Sequence, residues 1–581
     1  MNFKLRGILG GVTLVIVLSA QAALAQDPGD PGPFATSRIE YNLGDTAFTP
    51  PGPPPFPGPV EINAVVHYPT DLASGPFPLI IFMHGRHATC YQGGQAFLEW
   101  PCTGGHQSIT SYIGYEYIQS ILASNGYIVA SVGANGINAR DNSVNDLGML
   151  ARAQTIQYHL NLWNDWNTVG GAPFEDPNLF LARVNMNNIG TMGHSRGGEG
   201  VARHFVYNRD VLGNPYTLNA VLPLAPVDFQ RPDVDRVPME MLVGYCDGDV
   251  SDLQGAHFYD DVRNTPGDPT PKHNTLTMGA NHNFFNTIWT PGIGLPGAAD
   301  DWTAFVSGGS NDPWCGIVSG NHRLTAAQQR AVGLAYTVGF FRRYIGGETI
   351  FDPLWKGDVP PPPSAMTTEI FMSYQPPDDP ARRLDVNRLQ FDPADLTMNA
   401  LGGATLGSGL VPYNLCGGLA PQDQQCLPVS SGKQPHTVPS ARSGRRGLPQ
   451  FRFGWNDPTA FWENDLPDTN VSAYAKLQFR ASLNWSDSRN PLATPQDFSI
   501  TLADGLGNSA TTLVSANSGA LFYPPGTAAV LPLPKTFLNT VRIDLLANFP
   551  GVDLTDIQSI VFNFDQTGTG ALLISDLAFA D

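Results

Sequence analysis

Charge is what this chain of 581 residues has least of: Asp, Glu, Lys and Arg together make up 14%, against about a quarter in ordinary globular proteins. Bases are the scarcer sign, 32 against 51 acids, for a net charge of −19. Nothing supplies the basic field that nucleic acid or anionic lipid would need, and nucleic-acid binding is excluded as a main function. Beyond the first 25 residues no apolar run reaches the length of a span, so no transmembrane segment is expected there. Cysteine is limited to six, none of them in a C-x-x-C pair, and there is no GxxxxGK(S/T) and no GxGxxG after an early strand. These absences argue against paired-thiol metal sites and against a phosphate cradle.

What is present fits a chain that buries a large core. Hydrophobic residues reach 42% and aromatics 10%, while 61 glycines and 51 prolines are raised but short of a disordered composition. The length predicts two domains. Residues 1–25 combine Lys4 and Arg6, an apolar run from Ile8 to Ala20, and Ala23-Leu24-Ala25. That is the layout of a secretory signal cleaved near Ala25, too short in its apolar part for a membrane anchor. An extracellular or periplasmic location follows, in which the six cysteines read as disulfides. Sequence alone allows 15 pairings. Local spacing favours Cys90 with Cys102 and Cys416 with Cys426, leaving Cys246 with Cys315. His84, His87, Cys90 and His106 imitate a zinc cluster, but their spacing fits no standard finger, and no metal is expected.

A Pro/Gly-rich arm is predicted over 26–59, because a stretch such as TPPGPPPFPGP holds neither a helix nor a central strand. From 60 to 351 apolar runs (INAVVHYP, PLIIFMHG, GYIVASVGAN, NNIGTMGHS, AVLPLAPV, MEMLVGYCD, TLTMGANH) alternate with helical spacing over Gly148–Trp166 and Thr325–Tyr344. This is the βαβ rhythm of a mostly parallel sheet covered on both faces, an α/β fold. Residues 352–366, with four consecutive prolines, read as a stiff linker. From 367 to 581 the pattern turns to period two, which predicts an all-β sandwich, jelly-roll-like.

The sharpest chemical signal is Gly193-His194-Ser195-Arg196-Gly197, set between a strand-like NIGTM and a helix-forming GEGVARHFVYN. A serine on so sharp a strand-to-helix turn presents its hydroxyl at the sheet edge. That hydroxyl needs a base, and the base needs a carboxylate to orient it. His282 ends TLTMGANH, and Asp247 follows MEMLVGY, with Asp249 and Asp252 as nearby alternatives for the acid. The order Ser195, Asp247, His282 is that of one hydrolase class. Donors for a tetrahedral oxyanion would be the backbone amides of Arg196 and of Arg86, in the loop after PLIIFMHG. His84 and His194 read first as bracing and packing residues.

On FMHG, GHSRGG, GYCDGDV and GANHNFF, residues 60–346 resemble an α/β-hydrolase. Within that fold they look like the secreted esterases that include cutinase-like polyester hydrolases, dienelactone-hydrolase-like proteins and platelet-activating-factor acetylhydrolases. The resemblance implies a cofactor-free serine esterase with a Ser195, Asp247, His282 triad and oxyanion amides from Arg86 and Arg196. HGRH, with Cys90 and Cys102 beyond it, departs from the aromatic oxyanion loop of cutinase-like enzymes and leaves the substrate open. Tyr91, Trp100, Phe284, Phe285 and Trp302 on nearby loops predict an apolar acyl groove for lipid-like or polyester substrates, with core packing as the alternative. A carbohydrate acyl esterase or secreted peptidase on the same fold is the competing enzyme, and a surface-binding protein on an inactive scaffold the competing binder. The sandwich resembles carbohydrate-binding jelly rolls in its closing strands, where Trp455, Trp462 or Trp485 would dock a polymer; a purely buttressing role is the alternative. A Cys246–Cys315 bridge would hold acid and base in register.

Overall fold

The apolar runs of the first half become strands that are buried on both faces, as a parallel sheet requires. In the computed structural model, residues 26–389, 396–417, 426–427, 434–436, 447–527 and 530–581 are described. Nine strands form one sheet: β1 Thr36–Asn42, β2 Asn63–Pro69, β3 Phe77–Met83, β4 Ile128–Val132, β5 Val184–His194, β6 Leu218–Leu224, β7 Met239–Gly244, β8 Lys272–Thr277 and β9 Ile370–Gln375. Their order is β1-β2-β4-β3-β5-β6-β7-β8-β9. The six from β4 to β8 run parallel, while β1, β2 and β9 pair antiparallel at the flanks.

Alternation along β3 sorts its side chains into two layers. Leu79, Ile81 and Met83 join the core under helices α2 Met149–Thr168 and α3 Arg196–Val206, through Leu160, Trp163 and Val201. Ile80 and Phe82 join the opposite core under α1 Glu116–Ser124 and α4 Ala326–Tyr344, through Leu122, Phe340 and Phe341. Thr325 starts α4 with a reciprocal capping box to Gln328. The signal-sequence reading of 1–25 lies outside the described residues. No helix among those described is long and apolar enough to cross a membrane.

The second half holds a five-stranded and a six-stranded antiparallel sheet. Phe451, Phe453, Trp455, Trp462, Phe479, Phe498 and Phe562 share its core. Trp455 and Trp462 are therefore wholly buried and Trp485 half-buried, so none of the three stands on an open face as a polymer-docking platform would. Two boundaries also shift. The strand Ile370–Gln375, expected to open the sandwich, is β9, paired along its whole length with β8. The expected linker begins with a helix, Asp352–Lys356, because Leu354 and Trp355 bury themselves against α4; the Trp355 ring lies 5.6 Å from that of Phe340.

The sandwich is tied to the sheet unit by buried charge. Arg480 donates to Asp260 at 2.9 Å and to Asp576 at 3.3 Å, Arg263 donates to Asp576 at 2.8 Å, and His436 Nδ1 bonds Asp260 at 2.7 Å. Burial opposes charge on Asp260, but His436 and Arg480 hold its carboxyl well below the ordinary range. Taking one partner from such a group leaves an uncompensated ion, at a cost of about 3–5 kcal/mol. Arg480→Met is expected to destabilise by about that amount, read as a lowered midpoint in urea unfolding followed by tryptophan fluorescence. An unchanged midpoint would show that the cluster adds nothing to stability.

Candidate active site

β5 ends at His194 and α3 begins at Arg196, so Ser195 makes the turn alone. It does so at φ +59°, ψ −124°, a region that non-glycine residues occupy only when the surroundings hold them there. The Ser195 N–H donates to Leu224 O at 2.9 Å, and its carbonyl accepts from Gly198 at 2.8 Å. Gly193 is obligatory for packing, since a Cβ there would lie 1.9 Å from the Gly197 carbonyl oxygen. Ser195, 2% exposed, lines a cleft of about 260 Å³ together with Arg86, Arg196, Phe229, Asp249 and Asp252.

His282 and Asp247 sit on loops after β8 and β7, neighbours in the sheet. His282 Nδ1 meets Asp247 Oδ2 at 2.7 Å, and Asp247 Oδ1 accepts from the amides of Asp249 (3.0 Å) and Val250 (2.6 Å). Asp247 is therefore the carboxylate on Nδ1. Asp249, 49% exposed, instead faces Nε2 at 3.7 Å, and Asp252 accepts from Gln254 at 3.1 Å. His282 Nε2 is buried and has no hydrogen-bond partner among the described residues, Ser195 included. The His194 ring, next to Ser195, lies 4.8 Å from the His282 ring, which brings the Ser195 turn and His282 to one place. Burial works to lower the His282 pKa, but Asp247, by charge and hydrogen bond, and then Asp249 and Asp301 raise it to about 9.

The loop after β3, where the Arg86 amide is expected to serve an oxyanion, is fixed by a neutral histidine. His84 Nε2 accepts from Ala134 N–H at 2.9 Å, so its Nδ1 carries the proton and donates to Gly85 O at 2.9 Å; Asn138 Nδ2 donates to the same oxygen at 2.9 Å. Burial lowers the His84 pKa to about 3, which keeps it in this form. With the Gly85 carbonyl pinned, the planar peptide turns the Arg86 N–H the other way. A Cβ on Gly85 would lie 2.4 Å from Ser195 Cβ, so this loop runs against Ser195. Arg196 opens α3, where N–H groups lack an intrahelical acceptor.

The five aromatics expected to form an acyl groove do not line this cleft. Phe285 and Trp100 are buried, the latter donating to Asp45 O at 2.7 Å; Tyr91 bonds Gln107 on a small three-stranded sheet, and Phe284 lies beneath Arg323. Trp302 is likewise buried, beneath Lys535. Trp100, Phe285 and Trp302 turn into the core, Tyr91 and Phe284 stay half-buried away from the cleft, and the cleft keeps a charged lining. Three disulfides, Cys90–Cys102, Cys246–Cys315 and Cys416–Cys426, are present and fit an oxidising compartment.

Two residues escape a sequence reading. Asp301, in the run GAADDW, accepts from the amides of Gly248 (2.8 Å), His282 (3.0 Å) and Asn283 (3.0 Å), and so joins the Asp247 loop to the His282 loop. Burial, reinforced by Asp247, raises its pKa to about 6. Lys535 comes from the sandwich half, fully buried, and its Nζ donates to Tyr245 O at 2.6 Å and Asp247 O at 3.2 Å. Burial lowers it to about 8 against the pull of Asp247, Asp252, Asp301 and Asp312. No local pattern marks either position, because both act through backbone groups brought together only by the fold. A scan against protein-family models finds no match, and neither does a search of the curated proteins.

Asp301→Ala leaves three buried amides without an acceptor, and each such loss costs about 1–3 kcal/mol before relief of the carboxylate's own burial. A net destabilisation of about 3 kcal/mol is expected in urea unfolding. Removing its negative charge is also expected to lower the His282 pKa, read by nuclear magnetic resonance titration of the imidazole. An unmoved titration would refute the coupling.

Proposed function

We propose that this protein is a serine carboxylic-ester hydrolase of the α/β-hydrolase type, exported in keeping with its disulfides. The observation that carries the proposal is the buried Asp247–His282 pair at 2.7 Å beside a serine held at φ +59°. The mostly parallel sheet, with Ser195 after β5 and acid and base after β7 and β8, supports the same reading.

Asp247 accepts the Nδ1 proton, which leaves Nε2 of the neutral imidazole as the base. Nε2 is free of any other hydrogen bond, so it is open to the Ser195 hydroxyl once substrate settles the side chains. Oγ adds to the ester carbonyl while its proton passes to Nε2; the amides of Arg86 and Arg196 receive the oxyanion. The tetrahedral adduct expels the alcohol, which leaves with the proton from Nε2. Water, deprotonated by the same nitrogen, then releases the acid and restores Ser195. The charged lining of the cleft favours short polar esters over long acyl chains. The sandwich, by way of Lys535, serves as a wall behind the acid loop.

A panel of p-nitrophenyl esters from acetyl to palmitoyl is expected to show activity that peaks at short acyl chains and falls by 10³-fold or more in Ser195→Ala. Activity that survives that substitution would refute the reading. The base must be neutral to act, so with His282 raised to about 9, kcat/KM is expected to climb about tenfold per pH unit below that value and level off above it. Asp249→Asn removes a charge that favours the imidazolium, and the midpoint moves down. A profile flat from pH 6 to 10 would contradict the assignment of His282.

A further inference from the structure

Asp141, buried beside the elbow, gathers three guanidinium groups: Arg196 Nη1 at 2.8 Å, Arg152 Nη2 at 3.1 Å and Arg86 Nε at 3.2 Å. One carboxylate neutralises one of them. Arg152 is that one, since it is fully buried with Asp141 and its Nη groups also reach Asn138 Oδ1 (2.6 Å), Leu147 O (3.2 Å) and Gly148 O (3.4 Å). Arg86 and Arg196 are then surplus cations, and they are not on open surface where water would screen them. Their side chains are 29% and 15% exposed, and both line the cleft that Ser195 lines. Among the described residues Arg196 has one further hydrogen-bond partner, Asn142 Oδ1 at 3.1 Å, and its guanidinium lies over the Phe229 ring, 5.8 Å from the centroid. Burial and the proximity of Arg152 and Arg86, opposed by Asp141, lower the Arg196 pKa to about 10.

Among the described residues neither acid of the cleft forms an ion pair with Arg86 or Arg196: Asp249 stands 3.7 Å from His282 Nε2, and Asp252 accepts from the Gln254 amide. Both belong to the loop after β7, which β6 separates from β5 in the sheet, whereas Arg86 and Arg196 follow the adjacent strands β3 and β5. The cleft is thus polarised, cationic on the side where the oxyanion amides lie and acidic on the side of the base.

We propose that Arg86 and Arg196 form a carboxylate subsite, and that the substrates are small esters bearing a carboxylate within a few bonds of the scissile carbonyl. Two guanidinium groups fixed by a common buried anion present further N–H donors in a preset geometry, which suits a planar carboxylate. This deepens the hydrolase reading and rests on it. The same two residues then serve the reaction twice, with the backbone amide at the oxyanion and the side chain at the substrate's charge.

The test compares size-matched esters by proton release at constant pH: monomethyl succinate with methyl butyrate for a carboxylate on the acyl side, and acetoxyacetate with ethyl acetate for one on the alcohol side. At least one charged ester is expected to exceed its neutral counterpart in kcat/KM by on the order of tenfold or more at low salt, with the ratio shrinking as salt rises. Arg86→Gln is expected to bring that ratio close to one, mainly through KM, and Arg86→Lys to keep part of it. The ratio cancels any loss shared by both esters, and a circular dichroism melt of each variant separates misfolding from lost recognition. Ratios at or below one for both pairs in the wild type, or a ratio that Arg86→Gln does not move, would overturn the subsite. If no ester is hydrolysed at all, the hydrolase reading falls, and calorimetric titration with glutarate decides the subsite by itself. Saturable binding weakened tenfold or more by Arg86→Gln supports it, and heat changes no different from dilution overturn it.

Discussion

The molecule is organised around a charge that it keeps out of water. His282 and Asp247 are each about 1% exposed, and three carboxylates, those of Asp247, Asp249 and Asp301, act on one imidazole. A buried ion pair is tolerated only where its remaining donors and acceptors are met. Here those of the carboxylates are met by backbone, Asp247 by the amides of its own loop and Asp301 by amides of both loops, while Lys535 meets the loop carbonyls and His282 Nε2 is left open. The Cys246–Cys315 bridge closes the same region covalently, one residue before the acid. Each of these contacts fixes a loop, so the rigidity of the site and the neutralisation of its charge have the same source.

That arrangement explains why the two halves of the chain are not independent. Lys535 lies 288 residues beyond Asp247, yet its ammonium rests on the carbonyl of that residue. Tyr245, two residues before the acid, sends its hydroxyl to Pro525 O at 2.7 Å and accepts from the Lys535 N–H at 3.1 Å. With the buried Arg480–Asp260–Asp576 cluster beneath, the sandwich meets the sheet unit through buried polar groups as well as through an apolar seam, in which Phe537 packs with Leu276 and Trp302 and the Phe522 ring stacks on Phe371. Separating the halves would strand those charges, which makes a freely hinged pair of modules physically costly.

Period and spacing carried most of the architecture into the sequence. The seven apolar runs from INAVVHYP to TLTMGANH coincide with β2 to β8, and the elbow was legible because strand, tight turn and helix each leave a local mark around Ser195. Period-two stretches such as LQFRASL and SIVFNF likewise mark sandwich strands. What stayed hidden depends on pairing rather than on pattern. The run IFMSYQ follows the expected linker in company with the sandwich strands, yet it adds antiparallel to the edge of the large sheet, because an edge strand adds to whichever partner the chain path offers. Aromatic residues on loops near the site were equally ambiguous, since a sequence does not tell which way a loop turns its side chains. Trp100 and Phe285 turn inward. Asp301 and Lys535 left no trace at all, being ordinary residues whose partners are main-chain atoms.

The charged lining of the cleft follows from the same economy of ions. A chain with few charged residues places Arg86, Arg152, Arg196 and Asp141 within one cluster beside Ser195, and Asp247, Asp249, Asp252 and Asp301 within another beside His282. Had these groups served only to stabilise the fold, opposite charges would be expected to alternate and cancel. Instead a net cationic cluster, which includes Asp141, and a net acidic one, which Lys535 adjoins, stand on opposite sides of the strand β6, with Ser195 at the cationic margin. A field of that sense draws electron density toward the elbow and positive charge toward the base. It is the direction in which charge must separate when a serine oxygen adds to a carbonyl and an imidazole takes up the proton.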